Sequence, residues 1–215
     1  DYTIGTDGTI AAVALEDGYG DEFGIIKGEE AYLNINTIIK NIDKRFYVDA
    51  TNNLVMFTDA TKTYKTKIGG KTINETENTD YVISFMDGKN CYVNVKFVKK
   101  YVDFDYKVVK AEGKSPARIV LKYTSGEKNQ MTVKSNIEMR TKADYQNLIV
   151  TTLKKNTKVT VLEESGDWTK VGTDDGFMGY VPAKKLKDKE TKKTEFKSDA
   201  DTYTHVLMNK KISLG

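Results

Sequence analysis

The sequence predicts a mainly β fold with short helices (α+β): a duplicated strand-helix-hairpin domain followed by a small β-barrel. Composition, an internal repeat and a run of closely spaced strands carry this expectation. Thr, Val, Ile, Tyr, Phe and Trp supply 80 of the 215 residues, whereas Ala and Leu supply 11 and 10. Branched and aromatic side chains suit pleated, half-buried surfaces better than helices.

The repeat is the clearest internal signal. Residues 31–48, AYLNINTIIKNIDKRFYV, match residues 91–108, CYVNVKFVKKYVDFDYKV, at a constant offset of 60. Tyr32/Tyr92, Asn34/Asn94, Lys40/Lys100, Asp43/Asp103 and Val48/Val108 are identical, and branched residues coincide at Leu33/Val93, Ile35/Val95, Ile38/Val98 and Ile42/Val102. After an insertion of five residues, LVMF (54–57) faces IVLK (119–122), so the copies extend over 31–59 and 91–124. In each copy a strand comes first. Ile35, Ile38, Ile39 and Ile42, like Val95, Val98 and Val102, then follow the spacing of one helical face. Asn34 and Asn94 stand where an N-cap belongs, since their side chains can accept from an unpaired amide of the first turn. Period-2 alternation in RFYVD and DYKVV, a polar turn and a second apolar run complete a hairpin.

Between the copies, TYKTKI, the Gly69-Gly70 turn, KTIN, YVISF, Asp87-Gly88 and KNCYVNV read as further strands and tight turns. Glycine-rich residues 1–26 are expected to hold one strand, IAAVAL, and mobile ends. From about Met131 to Leu186 five short strands are expected: VKSNIEMR, NLIVTTLK, TKVTVLEE, DWTKVGT and GFMGYVPAKKL. Turns fall at 154–156, 164–167 and 174–176, and five strands in so short a stretch suggest a small barrel. Residues 187–199, KDKETKKTEFKSD, carry charge without apolar periodicity and read as a linker. TYTHVLMNKKISLG then turns apolar again, as the first strand of a further domain would.

These patterns resemble known families. Residues 25–124 resemble the copper amine oxidase N-terminal-like domain of secreted Gram-positive proteins, which usually has Pro where Asn34 and Asn94 stand here. Despite the name, no copper site is implied, because the region holds no His and only one Cys. The run Leu153 to Leu162, then Ser165-Gly166-Asp167-Trp168-Thr169-Lys170-Val171, Gly176 to Pro182 and Lys184-Lys185-Leu186, resembles the bacterial SH3-like (SH3b) domain. The family's early Asn-Val-Arg-x-Gly-Pro stretch is replaced by Ile137-Glu138-Met139-Arg140-Thr141-Lys142, which keeps the basic position but lacks the Gly-Pro turn. Both modules often precede a family-18 glycoside hydrolase barrel, and KKISLG resembles the entry to its first strand. The resulting domain plan is 1–128, 129–187 and 188–215, the last a charged linker and the start of a truncated domain.

Composition narrows the chemistry. One Cys (Cys91) and one His (His205) allow neither an intrachain disulfide nor a histidine-rich metal site. No window approaches about 18 consecutive apolar residues, and the start lacks a signal-peptide pattern, so no membrane insertion is expected. Residues 1–30 hold eight acidic residues and one Lys, leaving 33 basic and 23 acidic residues downstream. That bias favours weak contact with polyanions, although a solvated lysine surface explains it as well. Scattered lysines without a reader motif argue against nucleic acid.

The residues expected to contact a ligand are Tyr145, Asp167, Trp168, Asp174, Asp175, Phe177 and Tyr180, because aromatic faces bordered by polar loops suit peptide stems or sugars. Trp168 and Tyr180 also suit packing. No catalytic residue, metal or cofactor is expected: Asp103/Asp105 and Glu163/Glu164 read as solvated charges, Cys91 as core and His205 as surface. The expected function is a non-catalytic cell-wall-binding or targeting region of an extracellular or cell-surface Gram-positive protein. Its partners would be a wall polymer (peptidoglycan peptide or glycan) and its own C-terminal domain, a glycoside hydrolase of the family-18, chitinase or peptidoglycan type. The alternative is a scaffold packing on that domain without wall affinity.

Overall fold

The computed structural model describes residues 8–197; His205, the KKISLG run and the expected further domain lie outside the described residues. The chain forms two compact units, one from residues 8–12, 21–105 and 196–197, the other from 13–20 and 106–195. It is mostly strand, with a few short helical turns.

In the first unit, β1 (Thr9–Ala14) begins before the boundary and pairs with β2 (Gly24–Lys27) through Thr9↔Ile26 and Ala11↔Gly24. β2 turns into β3 (Glu30–Asn34) over Gly28, whose φ of 62° favours a residue without Cβ. A helical turn at Ile35–Thr37 and a π-helical turn at Ile38–Ile42 follow, closed by Asp43 N–H donating to the Ile38 carbonyl. β4 (Phe46–Asp49), β5 (Leu54–Thr58), β6 (Thr63–Lys67), β7 (Thr72–Ile73) and β8 (Glu77–Asn78) then form a five-stranded sheet in that order. β9 (Ser84–Asp87) and β10 (Asn90–Asn94) form a second hairpin, leading into the helix Val95–Lys99.

β3 and β10 pair antiparallel through Tyr32↔Asn94, Leu33↔Val93 and Asn34↔Tyr92. Residues 60 apart therefore exchange places about the Leu33–Val93 pair. Gly28 and Gly88, at φ 62° and 59°, extend that correspondence into turns upstream of the residues the sequence comparison aligns.

Both asparagines cap as expected. Asn34 Oδ1 accepts from Asn36 N–H and Asn94 Oδ1 from Lys96 N–H, each at 2.9 Å. Asn94 Nδ2 donates to Glu30 at 2.9 Å, and the other oxygen of that carboxylate accepts from Lys96 Nζ at 2.7 Å. The expected helical face is only partly realised: Ile35 and Ile38 are buried, but Ile39 is 36% exposed. The π turn widens the helix by one residue per turn, which takes Ile39 off the i, i+3, i+4 face. Beside it, Phe46, Phe57, Tyr64, Phe97 and Tyr101 pack as an aromatic cluster with ring centroids 4.5–6.2 Å apart.

In the second unit, β11 (Asp105–Val109) and β12 (Arg118–Lys122) are neighbours. A seven-stranded sheet follows: β13 (Gly126–Val133), β14 (Ile137–Arg140), β15 (Ile149–Leu153), β16 (Lys158–Ser165), β17 (Trp168–Gly172), β18 (Met178–Pro182) and β19 (Leu186–Thr194). Their order is β15-β14-β18-β17-β16-β13-β19. Val133, Ile137, Met139, Leu153, Val159, Val171, Val181 and Leu186 form its core.

Two expectations are corrected. The first expected strand, VKSNIEMR, is split at 134–136 between β13 and β14. The charged stretch read as a linker is, through Thr194, strand β19, which pairs along β13 from Gly126↔Thr194 to Val133↔Leu186. Its side chains from Lys187 to Lys193 are exposed, so the ladder rests on backbone hydrogen bonds and leaves no apolar periodicity to read.

Glu16 fixes the start of this unit. Its carboxylate accepts Tyr123 and Thr124 N–H at 2.9 Å and pairs with Lys128 at 2.9 Å. Burial pushes its pKa up, but the hydrogen bonds from Thr124, Lys128 and Tyr123 together outweigh burial and hold it below the usual carboxylate range. Because the folded value lies below the unfolded one, this stabilisation is present above the ordinary carboxylate pKa and is lost as pH falls through the folded value. In Glu16→Gln, urea unfolding at neutral pH should show a loss of about 1–3 kcal/mol that shrinks as both proteins are acidified.

Asn94→Ala should lower the unfolding free energy by about 1–2 kcal/mol, while Ala at exposed Asn36 changes it by less than about 0.5. Burial pushes the Cys91 thiol up to about 12. An aromatic disulfide reagent at pH 8 should therefore label Cys91 only once the protein is unfolded.

Candidate functional site

The β16–β17 hairpin closes over Gly166-Asp167, with Gly166 at φ 61° and Ser165 paired with Trp168. Across β17 and β18, Trp168 faces Pro182 and Lys170 faces Tyr180, and Tyr180 in turn faces Arg140 of β14. Partners directly opposite point to the same side of a sheet. Trp168, Lys170, Tyr180, Pro182 and Arg140 therefore share one face, while Thr169, Val171, Val181 and Met139 on the other face are buried.

The 141–148 loop brings Tyr145 to this face. Asp144 Oδ1 accepts Gln146 N–H at 2.8 Å and Leu148 O accepts Thr141 N–H at 2.9 Å, so the loop is closed on itself. Tyr145, 60% exposed, meets Trp168 edge-on, with ring centroids 4.8 Å apart at 62°. The Arg140 guanidinium lies 6.0 Å from the Tyr145 ring centre. It is held there by donating to the Asn147 carbonyl at 2.8 Å and by an ion pair with Glu138. Asp167 is exposed beside Trp168, and its carbonyl accepts Ala183 N–H at 2.8 Å.

Sequence reasoning left Arg140, Leu148 and Ile149 out of the site. Leu148 and Ile149 are 79% and 50% exposed, large apolar side chains in water next to the site in sequence. A register shift between Met139 and Arg140 sets Ile149 opposite Arg140. Read as simple alternation, NLIVTTLK gives no sign of that bulge. Arg140 was recognisable as the basic position kept from the SH3-like pattern.

Asp174, Asp175 and Phe177 stand elsewhere, at the other end of β17, about 13 Å along the strand from Trp168. Their turn is clamped rather than open. Thr173 Oγ1 accepts Phe177 N–H at 3.0 Å, Arg118 Nε donates to the Asp175 carbonyl at 2.7 Å, and the Arg118 guanidinium lies 4.1 Å over the Phe177 ring. Tyr19 donates its hydroxyl to the Gly176 carbonyl at 2.9 Å, and burial raises the Tyr19 pKa. Gly176 sits at φ 87°, where an added Cβ would fall 2.7 Å from Val120 Cγ2. These three residues border a separate 480 Å³ depression with Lys107, Thr151 and Lys154. The structure thus brings together Tyr145, Asp167, Trp168 and Tyr180 and separates them from the other three.

Asp103, Asp105, Glu163 and Glu164 are exposed, and Glu164 pairs with Lys189 at 2.9 Å. Among the described residues no group of three or more His, Cys, Asp or Glu could hold a metal ion, and no helix is long and apolar enough to cross a membrane.

A family model described as bacterial SH3 domain matches residues 135–187, a stretch that contains the whole Tyr145–Trp168 face. No curated protein and no solved structure matches the chain.

Arg118→Ala should release the 173–177 turn and lower the unfolding free energy by about 1–3 kcal/mol in urea titration. Tyr145→Ala, at an exposed ring, should change it by less than about 1.

Proposed function

We propose that the chain is a non-catalytic wall-binding or targeting region of an extracellular or surface-associated Gram-positive protein. Bacterial SH3 domains are commonly cell-wall-binding modules. The observation that carries the reading here is the exposed Tyr145 ring seated on Trp168, with Arg140 fixed beside it. A ring with one free face, a guanidinium and the exposed Asp167 suit a peptide or glycan of peptidoglycan: the ring covers apolar faces while the polar groups set orientation.

In this reading the first unit is a duplicated spacer of the copper amine oxidase N-terminal-like kind, supported by the β3–β10 register and the twin asparagine caps. Catalysis belongs to an attached domain, a family-18-like glycoside hydrolase. Weak wall contacts would raise that enzyme's local concentration, an effect set by tether length as much as by affinity.

Co-sedimentation of the full chain with purified Gram-positive peptidoglycan at low salt tests this. Binding is expected, falling about tenfold or more in Tyr145→Ala and in Trp168→Ala while Phe177→Leu binds as the parent does. Absence of sedimentation, or sedimentation of the Tyr145 and Trp168 variants equal to that of the parent, would overturn it.

A further inference from the structure

The five-stranded sheet of the first unit carries a cleft that the wall-binding reading does not use. Its register sorts the residues. Phe46, Val55, Phe57, Thr66 and Ile73 point to the core and are at most 1% exposed. On the opposite face Tyr47, Met56 and Lys65 form one row across β4, β5 and β6, and Asp49, Leu54 and Lys67 form the next. That face is concave: a cleft of about 1310 Å³ runs over it, rimmed by Asn52 in the β4–β5 turn and by Lys71, Asn74 and Glu75 around β7. Met56 is only 6% exposed although it stands on the outward face, which makes it the floor, while Tyr47 beside it is 41% exposed.

The charges are unequal in availability. Lys65, Lys67 and Lys71 are exposed, and none forms an ion pair among the described residues. Of the two acids, Asp49 accepts Asn52 N–H at 3.1 Å and Asn52 Nδ2 at 2.8 Å, and its charge also acts on Lys65. With Glu75 on the rim, two carboxylates stand against three ammonium groups, which leaves the cleft one positive charge in excess.

We infer that this cleft binds an extended oligosaccharide bearing acidic groups. An exposed tyrosine ring over an apolar floor offers a surface for the C–H face of a sugar ring. Asn52 Oδ1 and Asn74 Nδ2, the halves of those amides not used within the protein among the described residues, suit its hydroxyls. The three lysines suit carboxylate or phosphate substituents spaced along it. The volume exceeds the roughly 300–1,000 Å³ of a small-molecule pocket, which favours several linked units over one. A single aromatic ring and the absence of arginine from the lining give no platform on which successive nucleobases could stack.

Calorimetric titration of the full chain at low salt decides between these. Tetragalacturonate is expected to bind, and neutral chitotetraose at least about tenfold more weakly. Lys65→Gln with Lys67→Gln, and separately Tyr47→Ala, should each weaken tetragalacturonate about tenfold or more, with circular-dichroism melts confirming the fold; Trp168→Ala should have no effect, so this result stands apart from the wall assay. No tetragalacturonate binding, or binding indifferent to the lysine pair, overturns the inference. So does binding that the lysine pair weakens but Tyr47→Ala does not, or that inorganic phosphate displaces fully, since either reduces the site to a simple anion contact. Equal binding of an oligothymidylate through the same residues would assign the cleft to polyanions in general and likewise overturn it.

Discussion

Asn34 and Asn94 are completely buried, and an amide left unpaired in the interior costs about 1–3 kcal/mol. Each sits at the last residue of a strand and must satisfy an acceptor and a donor at once. The acceptor closes the first helical turn, and the donor reaches carboxylates on Glu22 and Glu30. Because β3 and β10 pair with each asparagine opposite the tyrosine two residues before the other, the two junctions lock one strand pair from both ends. The hairpins β2–β3 and β9–β10 and the helical turns take their positions from these junctions.

The caps were legible because an N-cap is a local device: Asn before an apolar run states its own role. Tight turns were legible for the same reason, and Gly69, Gly166 and Gly176 all take positive φ where turns were expected. Features set by backbone alone were hidden. The helical pattern holds at Ile35 and Ile38 and fails within the π turn, where Ile39 is exposed and Ile42 only partly buried. β19 has no apolar face to betray it, since β13 pairs with it by main-chain ladder and leaves its side chains in water.

The candidate ligand surface was half legible. Choosing aromatics and turn acids in the SH3-like stretch selects residues from both ends of β17, and a sequence carries no signal for which end stays open. Arg118, Tyr19 and Val120, distant in sequence, close over one end and make Phe177 a packing residue. The other end is left free by the 141–148 loop, whose own hydrogen bonds hold Tyr145 out. The cleft over β4, β5 and β6 was not legible at all, because Lys65 and Lys67 alternate with Thr66 as any solvated strand face would.

The outermost position of β19 has a further consequence. An edge strand offers a row of unpaired amides and carbonyls to any extended chain, including another copy of itself. Here that edge bears Lys187, Lys189, Lys192 and Lys193, with Asp188 and Glu190 between them. With four lysines against two acids, each edge carries a net positive charge, so two such edges repel as they approach. The stretch that looks least structured in the sequence is thus suited to stopping sheet growth, keeping crowded copies as separate molecules rather than seeds of an aggregate.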